Sequence, residues 1–190
     1  KAIRRQRQMC IRDSAYNQVV RLTDLIRDVA LITKTEEAPE TLPLERIEVC
    51  SIVDDIVEEL RPDLLNARML IENHIPADTI IRGNYSLVYS IFRNLFENSI
   101  RHAGPETIIH AECYNQDDTF CYFRYYDTGC GVAEEHLPRL FERFYRVSEG
   151  RTRDAGGTGL GLSIVRNAIQ FHQGNISCLL YTSPSPRDTR

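Results

Sequence analysis

Apolar residues at Val19, Leu22, Ile26 and Val29 alternate three and four apart, and Leu25 and Ile32 widen the stripe. That period predicts a helix over residues 15–33 with a seam suited to a bundle, although ordinary core packing gives the same pattern. The polar stretch TKTEEAPETLP, with Pro39 and Pro43, then predicts a linker. A short strand, RIEV, leads to Ser51, an N-cap candidate with Asp54 three residues on. Ile52, Val53, Ile56, Val57, Leu60 and Leu64 form the apolar face of the helix that follows. MLIENHI and TIIR predict strands with a Pro76 turn between them, and a second helix spans Asn84 to His102. TIIHAECY and TFCYFRYY flank NQDD as a hairpin, and a last helix runs to about Phe171. Strands and helices in segregated groups predict an α+β fold, a two-layer sandwich with helices on one face of a mixed or antiparallel sheet.

At 190 residues, 42% hydrophobic and 26% charged, the chain is long enough for one core-bearing domain and an appendage. No apolar run approaches the roughly 18 residues needed to span a bilayer, and no signal peptide opens the sequence. Its six cysteines form no C-x-x-C pair, which signals neither zinc nor a redox dithiol and favours reduced, buried thiols. The net charge is −4, yet Lys1, Arg4, Arg5, Arg7 and Arg12 crowd the first fourteen residues against Asp13 alone. The body between the tails is therefore acidic, which argues against nucleic acid as a partner. RQRQMCIRDS and CLLYTSPSPRDTR resemble peptides that recur where adapter sequence is read as coding at the ends of translated metagenomic fragments. The native sequence is expected over residues 15–177, with 1–14 and 178–190 as foreign tails.

Four glycines fall within residues 156–161, directly before a helical apolar pattern. Each costs roughly 0.5–1 kcal/mol of ordering entropy relative to alanine, so four imply a backbone that approaches something closely. A phosphate chain at a helix N-terminus is one candidate; a hinge with close helix packing is the other. No lysine follows Gly161 to make a Walker loop, and the flanking elements do not fit a Rossmann turn. On the second helix, Ser90, Asn94, Glu97, Asn98 and Arg101 form one polar stripe while Val88, Phe92 and Leu95 face elsewhere. Asparagine is a poor helix former, so two on one face suggest a role. An amide oxygen suits one position around Mg²⁺, and Arg101 one turn on could meet a phosphate; a solvated helix face fits the same residues. YYDTGCGV delivers Asp127 into a turn with Gly129 and Gly131. A carboxylate there could accept adenine's exocyclic amine and repel guanine's carbonyl, and an ordinary Asp-Gly turn is the plainer alternative. In LFERFYRV, Phe141 and Phe144 can anchor a loop with Arg143 and Arg146 at its rim. Arg151 and Arg153 follow in a glycine-bounded stretch that could close over a triphosphate.

The ordered set NLFEN (94–98), DTGCG (127–131), FERFYR (141–146) and GTGLGL (157–162) resembles the N, G1, F and G2 boxes of sensor histidine kinases. RLTDLIRDVALITKTEEA likewise resembles the second helix of that family's dimerisation and phosphotransfer hairpin. The resemblance spans about residues 15–177: a partial hairpin over 15–37, a linker over 38–45 and an ATP-binding domain of Bergerat type over 46–177. It implies ATP and Mg²⁺ as cofactors, with Asn98 as metal ligand and Asn94, Asn98 and Arg101 as the catalytic set. Asp127 would read adenine, with Gly129, Gly131 and Val132 shaping the base pocket. The boxes add His102, Phe144 and Arg146, and Gly157, Thr158, Gly159, Leu160, Gly161 and Leu162 in the cover. Catalysis would rest on positioning and charge neutralisation. The implied partners are a response-regulator receiver domain and a second copy through the helix around Val19 to Ile32. Membrane attachment would come only through upstream segments of an inner-membrane sensor whose cytoplasmic portion this is.

Two departures bear on activity. None of His74, His102, His110, His136 and His172 lies in the H-E/D-x-x-x-P-like context of a phosphoacceptor, so the fragment is expected not to autophosphorylate alone. The family's terminal strands after HQGNIS are replaced, so the sheet is expected to lose an edge pair. An ATP-hydrolysing relative of the gyrase or mismatch-repair type would want a glutamate where Asn94 stands. A nucleotide-free dimerising scaffold is the other alternative.

Overall fold

The computed structural model describes residues 18–19, 22–23, 25–147 and 158–179. The sequence-predicted cover residues Arg151, Arg153 and Gly157, the first tail and most of the second lie outside them. The first helix is continuous over 25–37, here α1, so it runs past the expected end at Thr33. β1 (Glu45–Glu48) and α2 (Val49–Ala67) follow, then β2 (Leu70–His74) and β3 (Ile80–Gly83). α3 (Tyr85–His102), β4 (Ile108–Gln116), β5 (Cys121–Asp127) and α4 (Gly161–Phe171) complete the order.

The strands form two sheets. β1 pairs antiparallel with β3, while β2, β4 and β5 form a mixed sheet in which β2–β4 is parallel and β4–β5 antiparallel. MLIENHI and TIIR are thus neighbours in sequence that pair with different partners. β5 is an edge, and among the described residues no strand follows α4. A parallel pair needs a long crossover, and here α3 provides it, carrying the chain across the sheet face between β2 and β4.

α2 begins at Val49, two residues before the expected cap. Glu48 occupies the N-cap without a side-chain bond, so Ser51 lies inside the helix. The chain is committed earlier because Val49, fully buried, donates its N–H to Thr79 O at 3.1 Å. α3 starts as expected: Asn84 Oδ1 accepts from Leu87 N at 3.2 Å. The same residue ties in two distant segments, donating from Nδ2 to Pro43 O and from its backbone N–H to His172 Nε2, each at 3.0 Å.

The main core lies between α2 and α3 on one side and the inward faces of the strands on the other. Ile52, Val53, Ile56, Val88, Phe92, Phe96, Ile109 and Ala111 are all buried in it. Phe92 meets Phe123 edge-to-face, ring centroids 5.9 Å apart. Burying each such side chain contributes roughly 1.5–3 kcal/mol, so this layer fixes where α3 lies over the sheet. A smaller cluster joins α1 to α4: Ile32 packs with Leu160 and Ile164, and Leu25 and Leu31 border it. Leu42 in the expected linker is buried against Leu87 and Ala168, so that segment is anchored rather than free.

Candidate functional site

Between α3, the end of β5 and the start of α4 lies a cleft, and polar residues singled out in the sequence line it. β5 delivers Asp127 beneath α3. Ser99 Oγ, on the buried face of α3, donates to Asp127 Oδ2 at 2.5 Å, and Gly129 N–H donates to Oδ1 at 3.0 Å. Both carboxylate oxygens therefore have a protein donor and keep lone pairs for a further one. Tyr125 Oη stands 2.6 Å from Ser99 Oγ and donates to Leu95 O at 2.7 Å. Burial pushes its phenol well up, so it stays a neutral donor. Gly129, Gly131 and Val132 line the cleft beside Asp127.

Asn94, Asn98, Arg101 and His102 of α3 line the same cleft with Arg146, His102 nearest the turn after Asp127, where Cys130 Sγ lies 3.3 Å from its carbonyl oxygen. Asn94 Nδ2 donates to Ser90 O at 2.8 Å and lies 3.2 Å from Ser90 Oγ. Its amide is thereby oriented with Oδ1 toward the start of α4. Asn98 is half-buried, and its amide takes no hydrogen bond among the described residues. A donor-acceptor group left so at the wall of a cleft is suited to a ligand. Arg101 donates to Glu97 Oε2 at 2.8 Å, while Glu97 Oε1 accepts from Arg93 at 2.9 Å. One carboxylate thus serves two guanidinium groups. His102 reports the remaining positive field: burial, then the charges of Arg101 and Arg146, hold its pKa below the ordinary histidine value.

The glycine segment closes on protein as well as on open space. A Cβ at Gly161 would stand 2.8 Å from Asn94 Oδ1, so α4 reaches α3 only through glycine there. Gly159 has φ +72°, and its carbonyl accepts from Phe144 N at 2.8 Å. Thr158, Gly159, Gly161 and Leu162 line the cleft. Two expected contact residues sit elsewhere. Leu160 is 1% exposed and packs on Ile32 of α1, anchoring the cover instead of facing the cleft. Phe144 is 66% exposed with φ +64°, so it is no core anchor: its backbone holds Gly159 while the ring points outward. Arg143 bonds to Glu36 of α1, which also accepts from Asn167 Nδ2 at 3.2 Å, and so joins three segments around the cover.

Ser99 was not singled out by sequence reasoning. Its signal was available: it continues the buried row Val88, Phe92, Phe96 on α3, and a hydroxyl in such a row needs a partner.

The family described as histidine kinase-, DNA gyrase B-, and HSP90-like ATPase matches residues 83–190. The chain is 32% identical over 173 residues to the sensor protein SphS of Synechococcus elongatus, covering 87% of this chain and 41% of that protein. It is 31% identical over 157 residues to the phosphate regulon sensor protein PhoR of Haemophilus influenzae, covering 82% and 36%. The chain thus spans less than half the length of these relatives. Among solved structures, the Acinetobacter baumannii histidine kinase AdeS superposes with a TM-score of 0.68 at 21% identity, over 84% of this chain and 72% of that one. At that identity the likeness shows the fold, which is the α+β arrangement of helices over a mixed sheet.

Proposed function

This chain belongs to the histidine kinase-, DNA gyrase B-, and HSP90-like ATPase family and carries the ATP-binding catalytic portion of a two-component sensor histidine kinase, and from that premise we propose how its residues act. The adenine amine is read by Asp127, set in place by Ser99 and Gly129. Asn94, Arg101, His102 and Arg146 hold the phosphates in the same cleft. The observation that carries this reading is the pairing, in one cleft, of a fully supported carboxylate with a cluster of positive charge and an uncommitted amide.

Asn98 fits a magnesium ion: a hard, neutral amide oxygen with no hydrogen-bond partner among the described residues, flanked by groups that favour anions. When bound, Mg²⁺ supplies neutralisation of phosphate charge. The chain's own contribution is to orient the nucleotide through Asp127, to fix Asn94 through Ser90, and to exclude water beneath Thr158, Gly159, Gly161 and Leu162.

In the whole protein, the γ-phosphoryl group passes to a histidine and then to an aspartate of a response-regulator receiver domain. None of the histidines here has an acceptor's sequence context, so the chain alone does not autophosphorylate. Val19, Leu22, Ile26 and Val29 are 48–63% exposed, an apolar row on the first helix suited to pairing with a second copy. No helix among the described residues is long and apolar enough to cross a membrane, so attachment would come from segments beyond this chain.

The test is titration of labelled ATP with and without Mg²⁺. Wild type binds more tightly with the metal, and Asn98→Ala removes that difference while still binding metal-free nucleotide. Absence of binding, or an Asn98→Ala variant with the full Mg²⁺ response, would overturn the assignment and favour a dimerising scaffold.

A further inference from the structure

The mixed sheet has a second face, turned away from α2 and α3, that the nucleotide reading does not use. Alternation along the strands fixes what it carries. Asn73 of β2 points inward, donating to Asp54 of α2 at 2.7 Å, so Glu72 and His74 point outward. Ile109 and Ala111 of β4 are buried inward, so His110 between them points outward as well. Parallel pairing places Glu72 directly opposite His110.

Three potential ligand atoms meet there, all within 4.8 Å of one another, and this is the one such group of histidine, cysteine or acidic residues among those described. Glu72 Oε2 lies 3.1 Å from His74 Nε2 and 3.2 Å from His110 Nδ1. A tetrahedral ion with bonds of about 2.0–2.2 Å spaces its ligands about 3.3–3.6 Å apart, close to both separations. A second observation concerns the state of one of these atoms. His110 Nδ1 is buried and makes no hydrogen bond among the described residues. A buried ring nitrogen aimed into a cluster and left unsatisfied has a reason when a cation completes the group. Tyr126 stacks on the His110 ring with centroids 4.5 Å apart and 15° between planes, which fixes its direction. His74 is exposed, stacks near-parallel on His110, and its Nε2 is already directed at the Glu72 carboxylate that the ion would share.

We propose that Glu72, His74 and His110 form a site for one divalent transition-metal ion, with Zn²⁺ the best match to two imidazoles and one carboxylate. Water completes the fourth position. The ion clips β2 to β4 at the middle of their parallel pairing, on the face opposite Asp127, and so binds independently of the nucleotide.

The test uses the nucleotide-free full chain and Zn²⁺ alone, followed by calorimetry and checked by Co²⁺ absorption. Wild type takes up one ion per chain; His74→Ala and Glu72→Gln each weaken binding at least tenfold. The Co²⁺ form shows ligand-field bands without thiolate charge transfer. Both substitutions leave ATP affinity unchanged, which separates this site from the cleft. Three results would overturn the proposal: no stoichiometric uptake, full affinity in both variants, or a thiolate band placing the ion on cysteine.

Discussion

The two sets of side chains that line the cleft are built on opposite principles. At Asp127 each carboxylate oxygen is fixed by one protein donor and keeps room for another: Ser99 and Gly129 hold it, and Tyr125 stands behind Ser99. Beside Arg101 and Arg146 the field is positive: Arg101 shares Glu97 with Arg93, and His102 resists protonation, first through its burial and then through those two guanidinium charges. The first set is preorganised and so selects a ligand by shape and donor pattern. The second carries a positive field at His102 and so favours an anion. A site with only the first would bind a nucleoside; one with only the second would bind any polyphosphate.

Replacing the carboxylate breaks the selective set and has the largest expected effect. Asp127→Asn removes a charged acceptor and turns an amide N–H toward existing donors. A hydrogen bond to a charged group contributes about 1.5–3 kcal/mol, so ATP affinity should fall about 10–100-fold. Competition between ATP and GTP measures it, and discrimination should narrow in step. A variant that binds less of both in equal proportion would show that Asp127 supports the cleft without reading the base.

Gly161→Ala probes the junction of cover and α3 with a smaller effect. At the start of an ordinary helix this change gains up to about 1 kcal/mol. Here the new Cβ would sit 2.8 Å from Asn94 Oδ1, and Asn94 moves only by giving up its Ser90 bonds. Loss of a bond of that kind costs about 1 kcal/mol, so nucleotide affinity should fall roughly fivefold with no gain in thermal stability. A higher melting temperature with unchanged affinity would mean that the close approach is not a constraint.

These residues also mark what the sequence made legible. The stripe Asn94, Asn98 and Arg101 and the turn at Asp127 stand out because unusual residue types recur at helical or turn spacing, and the cleft does bring them together. Ser99 escaped notice because its meaning lies in Asp127, 28 positions on, and serine is unremarkable in a helix. Leu160 and Phe144 were misplaced for a related reason. Membership in a motif names a segment, whereas the side chain's direction is set by α1, whose Ile32 covers Leu160. The start of α2 shows the limit for caps: a serine with an acidic residue three on was a sound local signal, and burial of Val49 outweighed it. The parallel pairing of β2 with β4 has no local signature at all, since it joins strands separated by the whole of α3.

The anion-seeking set has the subtlest test, through His102. Its folded pKa is lowered, first by burial and then by Arg101 and Arg146. Between that value and the ordinary histidine pKa of about 6.5, the unfolded chain binds more protons than the folded one. This group therefore costs stability as the pH falls through that window, and the cost is complete below the folded pKa. Phosphates arriving beside Arg101 and Arg146 cancel the charge that opposes protonation, so the pKa rises and binding takes up a proton. Affinity should then strengthen from about pH 7.5 to about pH 6 more in wild type than in His102→Gln, the difference isolating this residue from titration of the nucleotide itself. Calorimetry in buffers of different ionisation enthalpy reads the proton directly. Equal proton uptake in the two proteins would place the phosphates away from His102 and remove it from the binding set.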